Sequence, residues 1–213
     1  MQNNSEYGPE AFAEEFSISR ETLSRVKCYV DLLAQWQDKM NLIGPKTLPH
    51  VWSRHILDSA QLLNCLPAHV SRETTTWVDL GTGAGLPGVV LALLGVKKVH
   101  LVDSSAKRCA FLRNVVRKLE LPAEVHCSRI EDLESIPADY VTSRALAATS
   151  KLVTYAQPFL KETGEILLLK GQDVEDELTQ TAISRNMSIE RYPSRTDPRG
   201  VILRITGAHY GPN

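Results

Sequence analysis

Asp79-Leu80-Gly81-Thr82-Gly83-Ala84-Gly85-Leu86-Pro87-Gly88 is the stretch on which the fold turns, an acid followed by four glycines. Before it, Thr74-Thr75-Thr76-Trp77-Val78 is β-branched and aromatic, the composition of a strand; after it, Val89-Val90-Leu91-Ala92-Leu93-Leu94 supplies the apolar face of a buried helix. The glycines therefore occupy a strand-to-helix turn. Glycine suits that place because it accepts positive φ and lets a ligand touch the main chain, while the N–H groups at the helix start offer donors. Pro87 fits the first helical turn, where its missing N–H costs nothing.

Working outward, strand patterns fall near 75–80, 98–103, 123–127, 139–143, 165–169, 187–193 and 200–206, with helical patterns near 87–94, 105–119, 149–158 and 173–185. This alternation predicts an α/β, Rossmann-like fold: a seven-stranded, mostly parallel sheet with helices on both faces. The connection 193–200 is too short for a crossover, so the last two strands should pair antiparallel at an edge. Upstream, the pattern predicts a short helix over Glu10–Phe16. A stronger helix follows Ser17 or Ser19, with Leu23, Val26, Val30, Leu33 and Met40 on one face. A further helix is predicted from Pro49 to Leu66, closed by Pro67. Residues 1–70 read as an N-terminal helical extension and 71–213 as one compact core.

The chain has 213 residues, 43% of them hydrophobic, enough for one full core. No apolar run reaches membrane-spanning length and the N-terminus lacks the basic and apolar regions of a signal peptide, so a soluble cytoplasmic protein is expected. Cys28, Cys65, Cys109 and Cys127 form no CxxC or Cys/His cluster, which predicts free thiols and no metal. His55 and Asp58, three apart, read as a local hydrogen-bond unit, and Trp36, Trp52 and Trp77 as core residues. Net charge is −1, but between Lys97 and Arg129 eight basic residues face three acids, and Arg185 to Arg204 holds five arginines. Such asymmetry can build one basic face or merely solvate helices.

Two cofactor classes compete for the glycine turn. Gly83-x-Gly85-x-x-Gly88 matches the dinucleotide pattern, and Asp79-x-Gly81-x-Gly83-x-Gly85 that of S-adenosyl-L-methionine enzymes. The second strand ends in Asp103, placed for ribose hydroxyls in either class. A carboxylate at Asp79 would repel a pyrophosphate but welcome the amino group of a sulfonium cofactor, which favours S-adenosyl-L-methionine. On this argument Asp79, Gly83 and Asp103 are cofactor residues.

Beyond the loop, Asn41-Leu42-Ile43-Gly44, Arg54-His55-Ile56-Leu57-Asp58-Ser59, Leu101-Val102-Asp103-Ser104, Lys107-Arg108, Phe111-Leu112-Arg113, Ser128-Arg129-Ile130-Glu131, Ser143-Arg144-Ala145 and Leu169-Lys170-Gly171 follow in order. Together they resemble the glucose-inhibited division protein B family of bacterial small-subunit rRNA methyltransferases. The resemblance implies methyl transfer to ring nitrogen 7 of guanine 527 in the 530 loop of 16S rRNA, with the rRNA or the small subunit as partner; nothing in the sequence demands a dimer, so a monomer is expected. The resemblance also implies Gly81, Leu86, Ile130, Glu131 and Arg144 as cofactor contacts. This chain has Leu80 and Leu146 where the family often has valine and phenylalanine.

Nitrogen 7 of guanine has a free lone pair, so no general base is needed and the absence of a catalytic dyad is consistent. Arg144 is the candidate catalytic residue, able to fork onto the methionine carboxylate or the acceptor edge of guanine. Lys107, Arg108, Arg113, Lys170, Arg195 and Arg199 are the candidate RNA contacts. Three readings stay open beside this one: a methyltransferase of another RNA, a protein or a small molecule; a nicotinamide-dependent oxidoreductase; and a non-catalytic RNA-binding protein.

Overall fold

A computed structural model describes residues 7–144, 146–171 and 187–208. β-branched and apolar segments form strands β1 (Thr76–Leu80), β2 (Lys98–Asp103), β3 (Ala123–Cys127), β4 (Ala138–Arg144), β5 (Leu160–Lys170), β6 (Ser188–Pro193) and β7 (Val201–Thr206). They make one seven-stranded sheet in the order β3-β2-β1-β4-β5-β7-β6. The first five are parallel, and β7 runs antiparallel to both β5 and β6. The expected Rossmann-like architecture and its antiparallel edge are both present. β5 begins earlier than its apolar run, at Leu160, past a register irregularity between Ala138 and Tyr140 of β4.

Alternation along the strands divides the core in two. Trp77, Val99, Leu101, Tyr140, Leu167 and Leu169 face one way and meet α4 (Gly88–Leu93) and α5 (Ala106–Lys118). Val78, Leu80, Val102, Val141, Ile166 and Leu168 face the other and meet α6 (Thr149–Ala156). Trp77 is fully buried, stacks on Tyr140 at 4.7 Å and gives its indole N–H to Thr75 Oγ1. The expected helix over 173–185 lies outside the described residues.

The N-terminal elements share the first of these cores. Helices α1 (Pro9–Glu15) and α2 (Arg20–Met40) bury Phe12, Val26, Tyr29 and Leu33 in the same cluster as Leu91 and Phe111. Ser19 caps α2 by accepting from Thr22 N–H at 3.1 Å. At the other end Asn41 turns the chain in the left-handed region, φ 46°. Tyr29 donates its hydroxyl proton to the carbonyl of Ala84 at 2.8 Å, tying α2 to the glycine turn.

The regular helix expected over Pro49–Leu66 is replaced by a composite. A 3-10 segment (Pro45–His50) leads into a π-helical turn (Trp52–Leu57), one α turn, α3 (Asp58–Ala60), and a second 3-10 segment (Gln61–Cys65). Pro45 and Pro49 deny the N-terminal part regular donors, and the wide π turn re-aims Arg54 and His55 toward the sheet's carboxyl edge.

Candidate functional site

Asp79, at the end of β1, is wholly buried. Its Oδ2 accepts from Thr82 Oγ1 at 2.6 Å and from Gly88 N–H at 2.9 Å, while Oδ1 is buried without a partner. Burial pushes this carboxyl from its ordinary 3.8 up to about 7, against the pull of those hydrogen bonds and the Arg144 guanidinium. Asp79 thus holds the turn shut from beneath rather than lining a cleft. Gly88 fits because a Cβ there would lie 2.3 Å from Leu101 and 2.8 Å from Asp79 Oδ2. Pro87 is the N-cap of α4, one place earlier than expected.

The loop's donors are turned inward. Thr82 N–H bonds Val102 O, Gly83 N–H bonds Asp103 Oδ2 at 3.0 Å, and Gly85 and Leu86 N–H share Thr82 O. With Gly88 N–H on Asp79, the amides a pyrophosphate would need are already taken, which disfavours a dinucleotide.

A cleft of about 200 Å³ opens at the carboxyl ends of β1, β2 and β3. Gly81, Asp103, Ser104, Ile130, Glu131 and Tyr155 line it, together with Arg108 and Leu146. Gly81 has φ +67°, and a Cβ there would lie 2.7 Å from Leu146 Cδ1, so the missing side chain keeps this corner open. Asp103 accepts from Ser105 N–H at 2.8 Å through Oδ1 and from Gly83 through Oδ2. A carboxylate has roughly four lone-pair sites, so capacity for ribose hydroxyls remains. Tyr155, which sequence reasoning missed, donates to Glu131 Oε1 at 2.6 Å and fixes that carboxylate on the wall. Ile130 gives an apolar surface beside it. An acid for hydroxyls, an apolar plate and a second acceptor fit a nucleoside, so the donor set suits the adenosyl half of S-adenosyl-L-methionine.

Leu86 is not in this cleft. It is 3% exposed and packs in the core with Val89 and Leu91. Gly83 contributes through its bond to Asp103 and is also absent from the lining.

Arg144 faces a second cleft, of about 290 Å³, beyond the end of β4. Thr47, Arg54, His55, Asp58, Lys170, Ser194 and Thr196 line it with Arg144. Arg144 Nη1 donates to His55 Nδ1 at 3.0 Å and lies 3.4 Å from Asp58 Oδ2. A guanidinium can only donate, so His55 Nδ1 must accept, and its proton sits on Nε2 and points to Thr47 Oγ1 at 2.7 Å. Thr47 in turn donates to Gly44 O at 2.7 Å. Burial, then the Arg144 and Arg54 charges, push His55 down to about 3, in keeping with a neutral ring. His55 and Asp58, expected from sequence to form a local hydrogen-bond unit, instead each turn to Arg144 and together make its seat. No signal in the sequence linked the two segments, which lie 89 residues apart.

The candidate RNA residues divide. Arg108, half exposed, reaches Asp103 at 3.4 Å and lines the first cleft, so it stands at the rim of that cleft. Lys107 and Arg113 are exposed on α5. Lys170 lines the second cleft and donates to Ala147 O at 3.0 Å. Arg195 pairs with Glu15, and Arg199 with Asp197 at 3.7 Å, both within the molecule. Arg54, bonded to Thr196 O at 3.0 Å and paired with Asp197 at 3.5 Å, is a second-cleft cation the sequence reading passed over.

A doubly covered parallel sheet with an antiparallel edge and a nucleoside cleft at the carboxyl ends of β1 to β3 defines a Rossmann-like class I methyltransferase. TYW2 from M. jannaschii, solved in complex with AdoMet, shares this fold at TM-score 0.51 and 17% identity, over 70% of this chain and 74% of that one. The family described as rRNA small subunit methyltransferase G matches residues 22–195. Ribosomal RNA small subunit methyltransferase G of Paramagnetospirillum magneticum is 48% identical over 93% of this chain and 95% of its own length. That of Rhodospirillum rubrum is 46% identical over 94% and 98%. This chain belongs to the rRNA small subunit methyltransferase G family. Among the described residues no helix is long and apolar enough to cross a membrane.

Proposed function

We propose that this protein transfers a methyl group from S-adenosyl-L-methionine to ring nitrogen 7 of guanine 527 in 16S rRNA, with Arg144 as the catalytic residue. The observation that carries this reading is the pairing of two clefts: Leu146 lines the nucleoside cleft and Arg144 the cationic one, so β4 ends where they meet. The cofactor supplies a methyl carbon made electrophilic by a positively charged sulfur.

Asp103 would hold the ribose hydroxyls, Ile130 would pack on the adenine, and Glu131, braced by Tyr155, would accept from its amino group. Gly81 leaves room for the methionine arm. Arg144 would donate to guanine O6 and hold the base; orientation, rather than proton removal, is what this nucleophile requires. Methyl transfer leaves positive charge on the purine ring, and Asp58 beside Arg144 keeps the cleft from opposing it. Arg54 and Lys170 take flanking phosphates, with Lys107 and Arg113 on the neighbouring surface.

Labelled S-adenosyl-L-methionine is incubated with small subunits from a strain lacking this protein, and the modified nucleotide is mapped. Label at guanine 527 is expected; no label on any 16S guanine overturns the assignment.

A further inference from the structure

Strands β2 and β3 run in parallel, with His100 level with Glu124 and Val102 level with His126. Residues two apart on a strand share a face, so His100, Glu124 and His126 gather on one patch, opposite the face of Val99 and Leu101. His100 Nδ1 is 2.9 Å from His126 Nε2 and 3.9 Å from Glu124 Oε2, and the three donor atoms lie within 4.8 Å of one another. His100 is buried, Glu124 exposed and His126 between the two.

We infer that His100, Glu124 and His126 form a binding site for a divalent transition-metal ion of the zinc class, separate from both clefts. Two nitrogens 2.9 Å apart, each about 2.0–2.1 Å from an ion, subtend about 90° at it, within the range of metal coordination. Two imidazoles and one carboxylate favour zinc, nickel, cobalt or copper over magnesium or calcium, which prefer oxygen. Without an ion, one facing nitrogen bears the proton of the 2.9 Å hydrogen bond; an ion takes that place and the proton moves to the far nitrogen of the same ring. Glu124 is held meanwhile by Lys98 at 3.3 Å, an exposed pair of the weak kind, and can swing inward. Water would complete the coordination from the open side.

The ion would fasten an edge strand. β3 has a neighbour on one side only and leads within a few residues to Ile130 and Glu131, so occupancy would stiffen the adenine wall. Sequence spacing hid the site, because its ligands come from two strands rather than from one turn.

The test titrates chelator-treated full-length protein with cobalt(II), followed by its visible d–d band, and with zinc(II) by calorimetry and thermal melting. One equivalent is expected to bind and to raise Tm. His126→Ala should weaken binding by more than about tenfold and abolish the Tm gain, since even outer partners of ligands act on that scale. Glu124→Ala, at an exposed position, should weaken it with folding unharmed, and Cys127→Ser should retain it. No uptake by the wild-type protein, or uptake unchanged in both His126→Ala and Glu124→Ala, overturns the site. Should His126→Ala fail to fold by circular dichroism, Glu124→Ala alone decides.

Discussion

Arg144 and Asp79 show how a charged side chain can serve chemistry or structure according to what surrounds it. Arg144 is seated by His55 and Asp58 and presents its remaining donors to the second cleft. Arg144→Ala should abolish methyl transfer while circular dichroism stays native, and Arg144→Lys should restore little, because an ammonium cannot reproduce a planar fork; near-normal turnover in the alanine variant would refute the role. Asp79 acts on stability. Its carboxyl, raised from 3.8 to about 7, holds its proton more tightly folded than unfolded. Its contribution is therefore full below about pH 4 and is lost as pH rises toward 7, at up to roughly 1.4 kcal/mol per pH unit. Asp79→Asn, which can still accept from Thr82 and Gly88, should flatten that loss, read as a smaller difference between urea midpoints at acidic and neutral pH. The sequence marked Asp79 as an acid beside a cofactor loop, yet its burial depends on Thr82 and α4 closing over it, and local pattern carries no such information. Asp103 was legible because an acid ending the second strand of this fold has one open direction.

At the scale of elements, the strands followed directly from composition. β1, β2 and β3 run close to their expected limits because β-branched and apolar runs there are bounded by turn residues. The segment from Pro45 to Cys65 did not follow. Its prolines announce interruption, but whether the chain then winds as α, 3-10 or π depends on what Arg54 and His55 must reach. Links between elements were equally hidden. Tyr29→Phe removes the bond from α2 to the Ala84 carbonyl and should cost about 1–2 kcal/mol in denaturant unfolding. It should also raise the Kd for S-adenosyl-L-methionine, because the turn it braces carries Gly81 and Gly83. A variant with unchanged stability would show that water replaces the phenol.

Over the whole molecule, the division at residue 70 read from the sequence meets a core that crosses it. Phe12, Val26, Tyr29 and Leu33 cover the same apolar surface as α4 and α5. A chain starting at residue 71 is expected not to fold, measured as loss of a cooperative thermal transition and of near-ultraviolet dichroism. A cooperative melt of that fragment would establish the first seventy residues as an appendage. With a net charge of −1, rRNA affinity on the proposed reading would have to come from local cations such as those of the second cleft and α5, and binding to rRNA is expected to fall steeply with added salt.

The bond between Tyr29 and Ala84 and that between Arg25 and the Leu119 carbonyl, at 2.5 Å, span 55 and 94 residues. A nascent chain therefore presents α2 to solvent long before its docking surface has been synthesised. β7 stands between β5 and β6, so the sheet is completed only after residue 206 has left the ribosome. Helix α2 is therefore made well before the turn and the end of α5 on which it docks, and its apolar stripe is a natural place for a chaperone to hold the growing polypeptide.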